Sequence, residues 1–269
     1  MDYYVHNLDP FVVRFFGEVG IRWYGLAYVA GFVAAFLLLY HFSKQKVFVV
    51  PSNKVESFMM GLALFGVLLG GRLGYCLLYG WQYVLEDPLY PFKLWEGGMA
   101  SHGGMIGVLL YVFCYARKYE FSFWNIMDNL VFVVPLGLFF GRIANFINGE
   151  LWGRVTDVPW AVIFPQSGDM QPRHASQLYE AAGEGLLLFL VLWVIRRSAL
   201  ARCCGALSTA FLLVYGSVRF AVEFFREPDS TVYWGWMTKG QLYSLCMVVV
   251  AVLLGVCVWR RQRVLSHDL

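Results

Sequence analysis

Leu130–Arg154 reads LVFVVPLGLFFGRIANFINGELWGR, an apolar run that ends in an arginine, two asparagines, a glutamate and a second arginine. The first eleven residues, Leu130 to Phe140, suit a helix in hydrocarbon. The remainder, Gly141 to Arg154, does not, because a charge at the bilayer centre costs about 2.5–3.5 kcal/mol on insertion scales. Ionisable residues in or beside a span therefore have a reason to be there. A snorkelling Arg142 followed by a surface turn at Asn148-Gly149 is the bland alternative.

The rest of the chain agrees that the solvent is lipid. Hydrophobic residues make up 59% and charged ones 14% of 269 residues, and the mean hydropathy is +0.58. Seven apolar stretches, near 20–40, 57–79, 97–116, 123–144, 177–195, 205–225 and 240–259, can each cross about 30 Å of hydrocarbon as a helix. The first starts too far in, without a basic n-region or small-residue cleavage site, to be a removable signal peptide, so it is retained as a span. The expectation is an all-α polytopic membrane protein of seven transmembrane helices, a single integral membrane domain over 1–269.

Basic residues set the orientation. With the C-terminus inside, the inner connections hold eleven: Lys44, Lys46, Lys54, Arg117, Lys118, Arg196, Arg197, Arg202, Arg260, Arg261 and Arg263. The outer segments hold six: Arg14, Lys93, Arg154, Arg173, Arg226 and Lys239. An odd number of spans then places the N-terminus outside. Outer-face segments fall at about 1–19, 80–96, 145–176 and 226–239, a small arm-and-loop region in which Phe11, Phe15 and Phe16 suggest interfacial contact. The net charge of +3 reflects this topology, and no nucleic-acid partner is expected. Of six cysteines without metal-type spacing most read as core filler, no metal site or cofactor is expected, and no P-loop, HExxH or dinucleotide fingerprint occurs. Gly66/Gly70/Gly74, Gly103/Gly107 and Gly137/Gly141 repeat at the four-residue spacing that lets helices pack closely.

Alternating span direction brings separate sequence positions to one depth. Tyr24 and His102 come early in spans one and three, whereas Arg72, Arg142 and Arg219 come late in spans two, four and six. At about 1.5 Å per residue, all five lie within roughly 10 Å of the outer boundary. Arg219 and Glu223, four apart, can pair on one helix face. Glu180 and Glu184 share a face, so one is protonated or paired with an arginine. Arg72, among glycines, is open to a lipid headgroup or a buried acid, and Asp128 reads as a packing or pairing residue nearer the inner side. His102 is followed by two glycines that leave room for a substrate. His174 ranks lower, and His6, His41 and His267 are uninformative. Guanidinium groups at this depth match phosphate oxygens, and a phospholipid headgroup is the anion at hand. A histidine beside them suggests that a bond to the phosphate is broken.

Gly141–Arg154 resembles the signature of bacterial prolipoprotein diacylglyceryl transferases. Supporting matches follow in order: Ile21-Arg22-Trp23-Tyr24-Gly25-Leu26, Gly71-Arg72-Leu73-Gly74-Tyr75, Ser101-His102-Gly103-Gly104, Pro172-Arg173-His174, Ser176-Gln177-Leu178-Tyr179-Glu180, Arg219–Arg226 and Gly240-Gln241. Ala144, Ala175 and Thr238-Lys239 depart from the usual residues without touching the catalytic set.

The resemblance implies transfer of the sn-1,2-diacylglyceryl group of phosphatidylglycerol to the lipobox cysteine of a prolipoprotein signal peptide. A thioether forms and glycerol phosphate leaves, at the periplasmic face of the bacterial inner membrane, with the C-terminus cytoplasmic. His102 is then the base for the substrate thiol, and Arg142 and Arg219 hold the departing phosphate. Tyr24, Asn145 and Glu150 orient headgroup or peptide, Arg72 binds substrate, Gly153 permits close backbone approach and Glu223 positions Arg219. A phospholipid transporter would carry polar residues along a whole route and often repeated halves, and a non-catalytic seven-span receptor would not need His102 among arginines.

Overall fold

The computed structural model describes residues 3–17, 19–228 and 236–267, with side chains to residue 260. Residues 229–235 of the expected outer segment 226–239, and residues 1, 2 and 18 of the arm, lie outside the described residues. The helices, in chain order, are α1 (Trp23–Lys44), α2 (Ser52–Leu78), α3 (Trp81–Glu86), α4 (Ser101–Lys118), α5 (Phe123–Asn148), α6 (Ser176–Arg197), α7 (Ala206–Val222) and α8 (Lys239–His267). Each of the seven apolar stretches is thus helical. Among the described residues five helices, α1, α2, α5, α6 and α8, are long and apolar enough to cross a membrane; α7 is apolar but shorter, at 17 residues.

Five short strands correct the all-α expectation. β1 (Tyr4–Val5) pairs parallel with β4 (Val162–Ile163), which pairs antiparallel with β5 (Pro172–Arg173). β2 (Phe11–Phe16) and β3 (Val19–Arg22) form an antiparallel pair. Two-residue strands have no alternation to read, and FVVRFF shows none. In that pair Phe16 is 83% exposed, whereas Phe11 is buried with Arg14 and Arg22 over its ring at 4.5 and 4.6 Å. Phe15 and Phe16, rather than Phe11, are therefore the outward aromatics.

The chain forms two compact units, residues 1–37 with 128–269, and residues 38–127. In the second unit the glycine stripes of α2 and α4 face each other. A methyl group on Gly70 would meet Gly103 O at 2.7 Å and Gly107 Cα at 2.8 Å, so only glycine permits this backbone-to-backbone contact. Of the cysteines only Cys76 is buried, which limits the core-filler reading to that residue.

In the first unit the end of α7 opposite Arg219 is anchored by its neighbour. Gly205, which precedes α7, has no side chain to cap it. Asp128 on α5 supplies the missing acceptor, taking Gly205 N–H at 2.7 Å, Ser208 N–H at 2.8 Å and Ser208 Oγ–H at 2.7 Å. Next to it, Arg196 donates to Asn129 at 2.9 Å. Asp128 is thus a pairing residue, as its sequence position suggests.

Candidate active site

The C-terminus of α5 builds the signature turn. Glu150 N–H donates to Asn145 O at 3.1 Å and Gly149 N–H to Phe146 O at 2.9 Å, the two bonds of a Schellman closure. Gly149 has φ +64°, the left-handed conformation that glycine adopts at least cost, and Leu151 repeats it at +57°. This reversal folds Glu150 back over the helix end, where Asn145 Nδ2 donates to its carboxylate at 2.7 Å. Gln177 and Ser176, at the start of α6, donate to the Glu150 and Leu151 carbonyls at 2.6 and 3.0 Å.

The segment after the turn is woven into its surroundings. Gly153 N–H donates to His174 O at 2.8 Å, and Arg173 donates back to Gly153 O at 3.2 Å. A side chain at Gly153 would collide with His174 and the Phe225 carbonyl, so the close approach needed here is to the protein's own backbone. Arg173 also pairs with Asp169 at 2.5 Å and Glu227 at 2.9 Å, which holds the Asp169 carboxyl well below the usual range. His174 Nδ1 meets the Tyr179 hydroxyl at 3.1 Å; burial lowers its pKa, leaving it neutral at pH 7.

Below this turn in the first unit, three arginines and three glutamates converge. Arg142 reaches Glu180 Oε2 at 3.1 Å and Glu184 Oε2 at 3.1 Å. Arg219 reaches Glu180 Oε1 at 2.5 Å, Glu184 Oε1 at 3.8 Å and Glu223 Oε2 at 3.0 Å. Arg226 adds a third cation on Glu180 Oε1, at 2.9 Å. Glu223 also accepts from Thr238 Oγ at 2.8 Å. Thr238 and Gln241 cap the first turn of α8 reciprocally, side chain to backbone, at 3.2 and 3.0 Å.

The acids are sealed while two of the cations are not. Glu180 and Glu184 side chains have 0% exposure, whereas those of Arg142 and Arg219 retain 18% and 15%. The open edges of two guanidinium groups form an anion-accepting surface backed by buried carboxylates. Three arginines and three glutamates carry balanced formal charge.

Of the residues singled out in the sequence, the first unit brings together Arg142, Arg219 and Glu223, with Asn145, Glu150 and Gly153 in the turn above. Tyr24, at the start of α1, shares a hydroxyl contact with Tyr28 at 3.1 Å and lies within Coulombic reach of Arg142 and Glu150. His102 occupies the first turn of α4 in the second unit, half-buried, beside the glycine contact with α2. Arg72, also in the second unit, pairs with no acid among the described residues. It is 1% exposed and donates to the main-chain carbonyls of Tyr90 at 2.7 Å, Lys93 at 2.9 Å, Pro91 and Gly98 at 3.2 Å, and Gly97.

Three residues escaped the sequence reading. Arg226 reads from the sequence as an outer charge and as the end of the Arg219–Arg226 match, without a site role, although Arg219, Glu223 and Arg226 stand at the i, i+4, i+7 spacing of one helix face. Glu180 bridges all three arginines and was weighed only as a possible pair. His6 was set aside as uninformative, yet it is 2% exposed, its ring 5.5 Å from Phe146 and 5.4 Å from Phe164.

The family model for prolipoprotein diacylglyceryl transferase matches residues 10–257. A phosphatidylglycerol–prolipoprotein diacylglyceryl transferase of Idiomarina loihiensis is 48% identical over 253 residues, covering 92% of each chain. Those of Pasteurella multocida and Vibrio atlanticus are 46% and 43% identical, over 92% and 95% of this chain and 91% and 92% of their own. The chain therefore belongs to the prolipoprotein diacylglyceryl transferase family of enzymes.

Proposed function

We propose that this chain transfers the sn-1,2-diacylglyceryl group of phosphatidylglycerol to the lipobox cysteine of prolipoproteins, with the arginine–glutamate centre as its phosphate site. The observation that carries this reading is the carboxylate of Glu180. One oxygen faces Arg142 and the other Arg219, at 3.1 and 2.5 Å. What one carboxylate bridges, one phosphate can bridge, and the exposed edges of both guanidinium groups remain open to it.

In the reaction the substrate thiol is the nucleophile. A free thiol has a pKa of about 8.5, so its proton must be taken, and His102 is the base by virtue of its place in Ser101-His102-Gly103-Gly104. The thiolate attacks the glyceryl carbon that bears the phosphate. A carbon–sulfur bond forms, the carbon–oxygen bond breaks, and glycerol phosphate departs with the electron pair. Arg142 and Arg219 stabilise the charge gathering on it. Tyr24, Asn145 and Glu150 orient the headgroup glycerol or the peptide. Arg72 contributes to substrate binding through the loop it organises.

The chain works as one integral membrane domain of seven spans, with the N-terminus periplasmic, the C-terminus cytoplasmic and the site towards the outer leaflet of the inner membrane. The unequal spread of lysines and arginines over the connections supports this orientation.

The test is incubation of the purified protein with phosphatidylglycerol and a synthetic lipobox peptide, followed by mass spectrometry. The peptide gains one diacylglyceryl unit, and a peptide with serine in place of the cysteine gains none. His102→Gln loses the gain; if its rate survives with the pH dependence intact, another group is the base.

A further inference from the structure

Phe164 is the hub of a small aromatic core in the first unit. Its ring packs on Phe146 at 6.1 Å, edge to face, and on Trp152 at 6.2 Å, stacked. Val162 and Ala175 complete the cluster. Phe146 and Trp152 bracket the signature turn, one on the last turn of α5 and the other just before Gly153. The Phe146 carbonyl is itself one of the two acceptors that close the turn, and the residue before it is Asn145. Whatever fixes these two rings against Phe164 therefore fixes the Asn145–Glu150 pair.

His6 forms the third wall of this core. The arm around it is open, with Tyr4, Val5 and Leu8 all exposed, and His6 alone of the adjoining residues turns inward. Its ring stands edge-on to Phe146 at an interplanar angle of 88° and tilts over Phe164 at 33°. Its N–H donates to Ile163 O at 2.8 Å, which extends the β1–β4 pairing by one residue, and Tyr3 adds a bond from its hydroxyl to Asp157 O. Neither ring nitrogen has a hydrogen-bond partner among the described residues. The imidazole is thus used mainly as an aromatic ring, and burial holds its pKa below the ordinary value, so the ring is neutral at pH 7.

We propose that His6 is a positioning residue for the transfer reaction: inserted from the N-terminal arm between Phe146 and Phe164, it sets the signature turn so that Asn145 and Glu150 present their side chains to substrate. The proposal rests on the reading of Asn145 and Glu150 as substrate-binding residues. It gives the arm a role in substrate binding that its exposed residues do not reveal.

The test compares His6→Ala, His6→Leu and His6→Phe with Asn145→Ala in the full-length protein, measuring KM for phosphatidylglycerol and kcat with a lipobox peptide. The expected result is a KM raised about tenfold in His6→Ala, the scale of one or two lost aromatic edge contacts, with kcat within about twofold. His6→Phe restores KM, and His6→Leu, which fills space without an aromatic edge, restores it only in part. Should His6→Ala fail to fold, the contrast between Leu and Phe carries the test. A KM unchanged in both His6→Ala and His6→Leu overturns the proposal while Asn145→Ala remains impaired. If Asn145→Ala is itself unimpaired, the reading of the turn as a substrate site falls, and the proposal with it.

Discussion

Two buried arginine centres in this molecule solve one problem in opposite ways. In the second unit Arg72 spreads its charge over five main-chain carbonyls and the ring of Tyr90 at 4.5 Å. In the first unit Arg142, Arg219 and Arg226 share three carboxylates. Carbonyls are neutral and fixed in the chain, so Arg72 carries its full charge while its donors are occupied, and its work is to fold the loop around itself. Carboxylates are anions on side chains, and another anion can take their place. Partner chemistry, more than burial, separates an arginine locked by its own main chain from one whose partners an anion could replace.

That contrast can be broken most directly at Arg142. Arg142→Ala lowers turnover by about 10²–10³ or more, the range for losing one donor to a developing negative charge, while melting in detergent changes less than activity does. Near-normal turnover would end the phosphate-site reading. Arg142→Lys sharpens the point, because a lysine keeps the charge but loses the fork that spans Glu180 and Glu184, so most of the loss remains.

Glu180→Gln removes the shared counter-ion without changing its shape. Three guanidinium groups then face each other with one acid fewer, and breaking a buried pair in this way costs about 3–5 kcal/mol. Melting temperature and activity fall together. Preserved stability would mean that Glu184 and Glu223 alone balance the centre.

Arg72→Met has the reverse signature. Each buried acceptor left without a donor costs about 1–3 kcal/mol, so expression and melting temperature drop most, while the loosened loop raises KM about threefold in the folded fraction and leaves kcat within about twofold. A large rise in KM with melting unchanged would instead make Arg72 touch the substrate directly.

The smallest effect belongs to Asp87, whose 2.6 Å pair with Lys93 clasps the loop around Arg72. The Lys93 ammonium lowers the Asp87 pKa, so this contribution is present above the unfolded carboxylate value of about 3.9 and is lost as the pH falls through the lower folded value. Between about pH 5 and pH 9 melting is therefore flat with respect to this pair. Asp87→Asn changes it little, since the clasp is exposed.

Sequence reading reached the helices because each apolar run is longer than its end errors, and it reached Arg142 and Arg219 because charge in an apolar run needs a cause. It stopped where partners carry no side-chain signature. The cage around Arg72 is made of carbonyl oxygens, which every residue has, so no pattern of side chains points to it. His6 failed for another reason: its neighbours Phe146 and Phe164 are more than a hundred residues away, and a two-residue strand offers no pattern to connect them. Arg226 is legible at i+7 from Arg219, just beyond the end of the apolar run. The Asn145–Glu150 pair was legible as chemistry, while the closure that joins it depends on the positive φ at Gly149.

The cap that Asp128 places on α7 works as a ruler. From Ser208 to Arg219 is eleven residues, about 16 Å of helix, and from Asp128 to Arg142 fourteen, about 21 Å. Pinning the two helices at one end sets where the guanidinium groups arrive at the other, as two rods bolted at the base align their tips. One residue added to α7 between Ser208 and Arg219 would advance the tip by about 1.5 Å and turn it by about 100°, taking Arg219 off Glu180. Length, in these two helices, is as much a part of the chemistry as charge.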